Sequence, residues 1–417
     1  MPLSPQVAQE IRSIVDDAVL DPNHVPGTTV VVVDRSGTEH IAHSAGKRGI
    51  SSNEPMTMET VYWMASCTKM IVGIACMQLV ERDLLKLDDS DHLEKLCPEL
   101  ADVKVLSVEG KLVEKKRGIT LRMLLTHTSG FGYAFLNERL RNWSLPAGID
   151  EFSGSIQDMK QPLVFQPGES WEYGIGIDWA GIALERASNT KLNDYIQVNV
   201  CQPLNLRSVN MVPTLEMKKG LAYMHSRERG GNIVARKHPL HLPLVVESEL
   251  ENHACFKSGG AGIFAKPREY TRILAVFLHD GTCPLTKARI LKKETVDEMF
   301  TDQIPDVPGS AEDGVQDAKT KLGNMLPELS GVLGGSPRGW GLTFMISGGK
   351  TGRSNGTAWW VGLPNLFWWC DRENGVAGMI CSHILPFGDR AVVELWSQVE
   401  TTVYGGLRAT TKDGLPL

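Results

Sequence analysis

Apolar positions Val7, Ile11, Ile14, Val15 and Val19 recur near helical spacing behind Pro2 and Pro5, so the first twenty residues are predicted to form a helix. A β-branched run, Thr28 to Val33, an Arg35-Ser36-Gly37 turn and a second run, His40 to Ala45, predict a hairpin. Helices are expected over Met70–Arg82, Ile119–Leu125, Ile177–Ala187, Glu269–His279 and Lys292–Phe300, and mostly helix and loop between Pro146 and Pro213. Thr301 to Arg338 is rich in Pro, Gly, Asp and Lys and reads as a long surface excursion. Strand-like runs then follow at Trp340–Ile346, Thr357–Gly362, Leu366–Cys370 and Val376–Cys381, Pro386 breaks the pattern, and Arg390–Val403 reads as a closing helix. No internal repeat is visible. A helix and two strands come first, helices fill the middle, and strands with a last helix close the chain. The two ends can therefore share one sheet with the helical block inserted between them, and a cleft at their junction is where a site is expected.

Composition narrows the function classes. With 417 residues the chain corresponds to roughly two to three average domains. A net charge of -6 offers no basic face for nucleic acid and no polybasic membrane signal. The longest apolar run, Met70 to Met77, falls far short of the roughly 20 residues a spanning helix needs. The start, Met-Pro-Leu-Ser-Pro-Gln, does not read as a signal peptide, and the eight cysteines are scattered in apolar stretches without a CxxC pair. A reducing, cytoplasmic setting is the expectation.

Three places carry candidate chemistry. In Ser66-Cys67-Thr68-Lys69 the serine stands where a strand-like run gives way to a helix, near free N–H groups and the positive end of the dipole. Lys69, three residues on, shares its helix face, and an amine beside a hydroxyl can take its proton. Spacing alone leaves the alternative of a helix N-cap and a solvated lysine. Tyr173 lies in a glycine-containing loop before a helix; an adjacent ammonium would favour its phenolate and make it a general base, the alternative being a packed aromatic. The strand ending Trp359-Trp360-Val361-Gly362-Leu363 could offer a backbone N–H that, with the Ser66 N–H, forms an oxyanion hole. His238 and His241 have no third ligand at helical spacing, so neither a metal nor a cofactor is expected.

Together these features resemble the serine β-lactamase and penicillin-binding-protein superfamily, whose Ser-x-x-Lys signature has the same order along the chain. The likeness is nearest to the class C-like esterases and to fungal acyltransferases that esterify polyketides such as the statin precursor. It spans about Val25 to Tyr404. Its carriers are Ala65 to Lys69, the string Leu121-Arg122-Met123-Leu124-Leu125-Thr126-His127-Thr128-Ser129-Gly130, Tyr173-Gly174 with Asp178-Trp179-Ala180-Gly181, Gly259-Gly260-Ala261-Gly262, and Trp360 to Leu363.

The resemblance implies an α+β fold: a three-layer α/β/α sandwich with an antiparallel sheet, built from residues 1–65 and 255–417, plus a mostly helical insertion at 66–254. It implies Ser66 as nucleophile, Lys69 and Tyr173 as the proton-transfer pair, Ser66 and Leu363 N–H groups as the oxyanion hole, and Tyr133, Trp359, Trp360 and Gly362 as substrate contacts. His127 would serve structure. The position two residues after Tyr173, asparagine in lactamases, is Ile175 here, and Lys350-Thr351-Gly352 mimics the third lactamase signature. Counting strands back from the last helix makes Thr357–Leu363 the catalytic strand, so Lys350 falls in the preceding loop and a substrate carboxylate loses that anchor. The tryptophan-rich strands suit an apolar substrate. The expectation is acyl transfer through an acyl-enzyme onto a polyketide-like alcohol, from a small ester or thioester or an acyl carrier protein. A carboxylesterase, a β-lactamase or D-alanyl peptidase, and a non-catalytic scaffold are the alternatives.

Overall fold

A computed structural model describes residues 3–305 and 338–412. Most of the stretch expected to be a surface excursion, 306–337, lies outside the described residues.

The first helix, α1 (Pro5–Ala18), starts where Ser4 caps the Val7 N–H and buries Ala8, Ile11 and Val15, one turn apart on a single face. A hairpin of β1 (Gly27–Asp34) and β2 (Glu39–Gly46) follows. The chain later returns as β3 (Arg338–Trp340), β4 (Met345–Ser347), β5 (Ala358–Gly362), β6 (Leu366–Asp371) and β7 (Val376–Cys381). These make one seven-stranded sheet in the order β3-β4-β5-β6-β7-β1-β2, antiparallel throughout. The two ends of the chain meet at β1 and β7, where Val31 stands opposite Met379. β1 is buried from Gly27 to Val33 because both faces of the sheet are covered. Helix α4 (Pro267–Leu278) packs on β1 and β7, while α1 packs on β2 and on the closing helix α5 (Arg390–Lys412). The closing helix outruns its sequence expectation because Tyr404 and Leu407 keep its inner face buried.

Between the two halves run α2 (Thr68–Glu81), buried from Thr68 to Leu79, and α3 (Gly176–Ser188), packed against it. A helix with no polar face belongs at the centre of a large core. The middle block also supplies short strands: Val209–Asn210 and Tyr62–Trp63 both pair with Phe264–Ala265, and His225–Arg227 runs parallel to Ile384–Leu385. The run Trp340–Ile346 is two strands rather than one, because the chain turns back through Thr343 at φ +86°. Among the described residues no helix is long and apolar enough to cross a membrane, and the eight cysteines are all free and buried.

Candidate active site

Ser66 sits in the 3-10 turn Ala65–Cys67 that opens into α2. The turn is held from three sides. Met64 N–H donates to the Ile263 carbonyl at 2.8 Å, Tyr270 Oη to the Cys67 carbonyl at 2.9 Å, and Ile263 N–H to Thr68 Oγ1 at 3.0 Å. Ala65 takes φ +45°, a conformation an alanine adopts only when its surroundings impose it. The end of β5 closes against this turn: a Cβ on Gly362 would stand 2.7 Å from the Met64 carbonyl oxygen, so only glycine lets the strand approach this closely.

Lys69 is fully buried. Its Nζ lies 3.1 Å from Ser66 Oγ, 3.0 Å from Tyr133 Oη and 2.9 Å from the Gly260 carbonyl oxygen. It also stands 4.6 Å from the centre of the Tyr173 ring. Burial pushes the amine down from 10.5 to about 7, against an opposing pull from the Asp178 carboxylate and Cys67. Near neutrality half of it is therefore free base. An ammonium satisfies all three neighbours as a donor. The neutral amine has two N–H groups and one lone pair, and the Gly260 carbonyl can only accept. The lone pair then falls to a hydroxyl, and directed at Ser66 it makes Lys69 a base.

Asp178 is buried, and its Oδ1 accepts from Ser258 Oγ at 2.6 Å and from Gly260 N–H at 3.0 Å. It thus fixes the carbonyl that holds Lys69. A Cβ on Gly260 would come within 2.4 Å of Asp178 Oδ2 and 2.9 Å of Tyr133 Oη, so no other residue fits between them.

Trp360 Nε1–H donates to Tyr173 Oη at 3.0 Å, and the nearby Ser66 hydroxyl also pulls the phenol's pKa down. Burial raises its pKa, and these two neighbours only partly offset the effect. The expected phenolate is therefore reversed. Burial thus favours the neutral phenol at Tyr173, as it favours the free amine at Lys69. His127, at φ +60°, packs its ring 4.7 Å from Tyr173, and its Nδ1 accepts from Gly174 N–H at 3.3 Å. Burial holds it well below 6.5, so it is neutral and positions the tyrosine loop.

The expected substrate contacts separate. Trp360 and Gly362 face the site. Trp359 does not: its Nε1–H donates to Ser347 Oγ at 2.9 Å, and its ring lies 5.7 Å from Trp396 on the far side of the sheet. Alternation along β5 puts neighbours on opposite faces. Tyr133 belongs to the proton network through Lys69 and stacks on Phe135 at 4.9 Å. Lys350 is exposed, and Thr351 turns to Glu400 under α5, at the end of β5 remote from Ser66. Sequence reasoning quoted Gly260 and Asp178 without giving them a role, and it missed Glu151, whose buried carboxyl lies near this network. Nothing in their local spacing signals a role. Among the described residues no group of three His, Cys, Asp or Glu could hold a metal ion.

The profile of the β-lactamase family matches residues 15–401. The acyltransferase mokF of Monascus pilosus is 31% identical over 361 residues, 82% of this chain and 83% of that protein. The lovastatin esterase of Penicillium rubens is 29% identical over 415 residues, 93% and 96% of the two chains. The solved structure of a simvastatin synthase (LovD6 mutant) from Aspergillus terreus superposes with a TM-score of 0.82 at 28% identity, covering 98% of this chain and 99% of that one.

Proposed function

The chain belongs to the β-lactamase family, and from that premise we propose that it is a serine acyltransferase that moves an acyl group, through an ester on Ser66, to the hydroxyl of an apolar, polyketide-like secondary metabolite. The observation that carries this reading is the buried Lys69 amine 3.1 Å from the Ser66 hydroxyl, its charge disfavoured by burial. Relatives named for acyl transfer and for simvastatin synthesis support the substrate class.

In the first half-reaction Lys69 takes the Ser66 proton as Oγ attacks the ester or thioester carbonyl. The oxyanion lies between the N–H groups of Ser66 and Leu363. Lys69 returns the proton through Tyr173 to the leaving oxygen or sulfur, and the bond to the acyl carbon breaks. An acceptor alcohol then occupies the leaving-group position, gives its proton to the same pair, and attacks the acyl-enzyme. A small thioester or an acyl carrier protein is the proposed donor, and a cytoplasmic setting agrees with eight buried free thiols. The similarity to a lovastatin esterase favours hydrolysis as the second reading, in which water takes the place of the alcohol.

Intact-mass analysis after incubation with p-nitrophenyl butyrate tests the first half-reaction. One butyryl adduct is expected on the wild type and none on Ser66→Ala. Adding alcohol acceptors tests the second half-reaction: ester product supports transfer, and free acid alone, whatever the acceptor, supports the esterase. A wild type that never forms the adduct overturns both readings.

A further inference from the structure

One buried carboxyl beside the site has no task in the proton transfers. Glu151 is 5% exposed. It stands in the wall of a cavity of about 470 Å³, otherwise mainly apolar, formed by Phe135, Phe152, Leu363 and Leu385. That volume falls in the range of small-molecule pockets. The cavity adjoins the reacting centre from two directions. Leu363 follows the strand end that closes on Ser66, and the Phe135 ring stacks on Tyr133, which holds Lys69.

The carboxyl is held by backbone only. Its Oε1 accepts from Ala134 N–H, and its own N–H is the other donor. Among the described residues no cation or side-chain donor pairs with it. Arg227, in the same cavity, is tied to Asp389, and Arg236 donates to Ser226 Oγ and the Lys237 carbonyl. The carboxylates of Asp150 and Asp178 act to raise its pKa further. A buried carboxyl with no partner beyond the backbone is unfavourable unless a ligand completes it. A single such group in an apolar pocket is the usual means of orienting a ligand.

We propose that Glu151 is the specificity-determining contact of the acyl-acceptor pocket, and that it receives a second hydroxyl of the acceptor, remote from the one acylated. This deepens the acyl-transfer reading and rests on it. The chemistry selects a hydroxyl over other groups. Burial pushes Glu151 up to about 7, so acid and carboxylate coexist near neutrality. A hydroxyl donates to the carboxylate and accepts from the acid, whereas a ketone suits only the acid and an ammonium only the carboxylate. The two arginines at the cavity also disfavour a cation.

The test uses p-nitrophenyl butyrate as donor and two acceptors, a bicyclic alcohol and the same skeleton with a second, remote hydroxyl. The ratio of kcat/KM for the two acceptors is the readout. Wild type is expected to prefer the diol by about 10- to 100-fold, the range of one hydrogen bond to a charged group. In Glu151→Leu the ratio falls to about 1. In Glu151→Gln, which keeps an oxygen for Ala134 N–H, it falls by about threefold or more. If the leucine variant does not fold, the glutamine variant decides. A wild-type ratio near 1, or a ratio unchanged in the variants, overturns the assignment of Glu151 even where the Ser66 adduct forms. Absence of the adduct in wild type instead overturns the underlying acyl-transfer reading.

Discussion

The replacement Asp178→Asn tests the electrostatics of the site. Lys69 ordinarily titrates at 10.5 and here is brought down to about 7. That lowering corresponds to about 5 kcal/mol of disfavoured charge. At pH 7 the free base rises from roughly 1 part in 3000 to about half. Acylation needs that free base, so kcat/KM for p-nitrophenyl butyrate should climb about tenfold between pH 6 and 8 and level above. The Asp178 carboxylate favours the ammonium, opposing the burial. Removing its charge must lower the Lys69 pKa further, and the ascending limb must move to more acid pH. The asparagine still offers an oxygen to Ser258 Oγ–H and Gly260 N–H, so the shape of the profile reads the charge while its height reads any loss of positioning. Glu151 titrates in the same window, so the profile is also taken in Glu151→Gln; a limb that vanishes there belongs to Glu151 and refutes the assignment to Lys69. A limb that stays in place or moves alkaline in Asp178→Asn refutes the reasoning directly.

Trp360→Phe removes the N–H that Tyr173 receives, and a drop in kcat of about 5- to 100-fold is expected, read by steady-state kinetics against pH. Gly260→Ala forces a Cβ into Asp178 and Tyr133 and should reduce acylation at least about a hundredfold, measured as single-turnover release of p-nitrophenol. Glu400→Gln strips the fully buried Arg353 of its counter-charge, and urea unfolding should show a loss of about 3–5 kcal/mol. Lys350→Ala, at an exposed loop position, should leave kcat/KM within about twofold of wild type; a loss beyond tenfold would place that lysine in the site after all.

What could be read from the chain and what could not divides along the range of the interaction. Ser66 and Lys69 were legible because three residues along a helix put both on one face, and the strand count that set aside Lys350 needed only the periodicity of the last third of the chain. The fold class followed from the same periodicities, since β1 carries the β-branched run Thr28 to Val33 and α2 an unbroken apolar run from Met70 to Met77. The partners of Lys69 were not legible. Tyr133 and Gly260 reach it from 64 and 191 residues away, distances closed only by tertiary packing. The same limit explains the error over the base. Adjacency to an amine argues for a phenolate, but exclusion of water opposes the charge on both groups, lowering the amine's pKa and raising the phenol's. Trp359 and Trp360 show a narrower gap. Alternation required them to part, but which one meets the site depends on Gly362 docking against Met64. Glu151 is the extreme case. It lies in the stretch expected only as helix and loop, and its burial depends on Ala134 N–H and Leu363, neither of which is local. Function here is concentrated where side chains of opposite local preference are forced into one dry space, and such places are the last to be visible in a linear pattern.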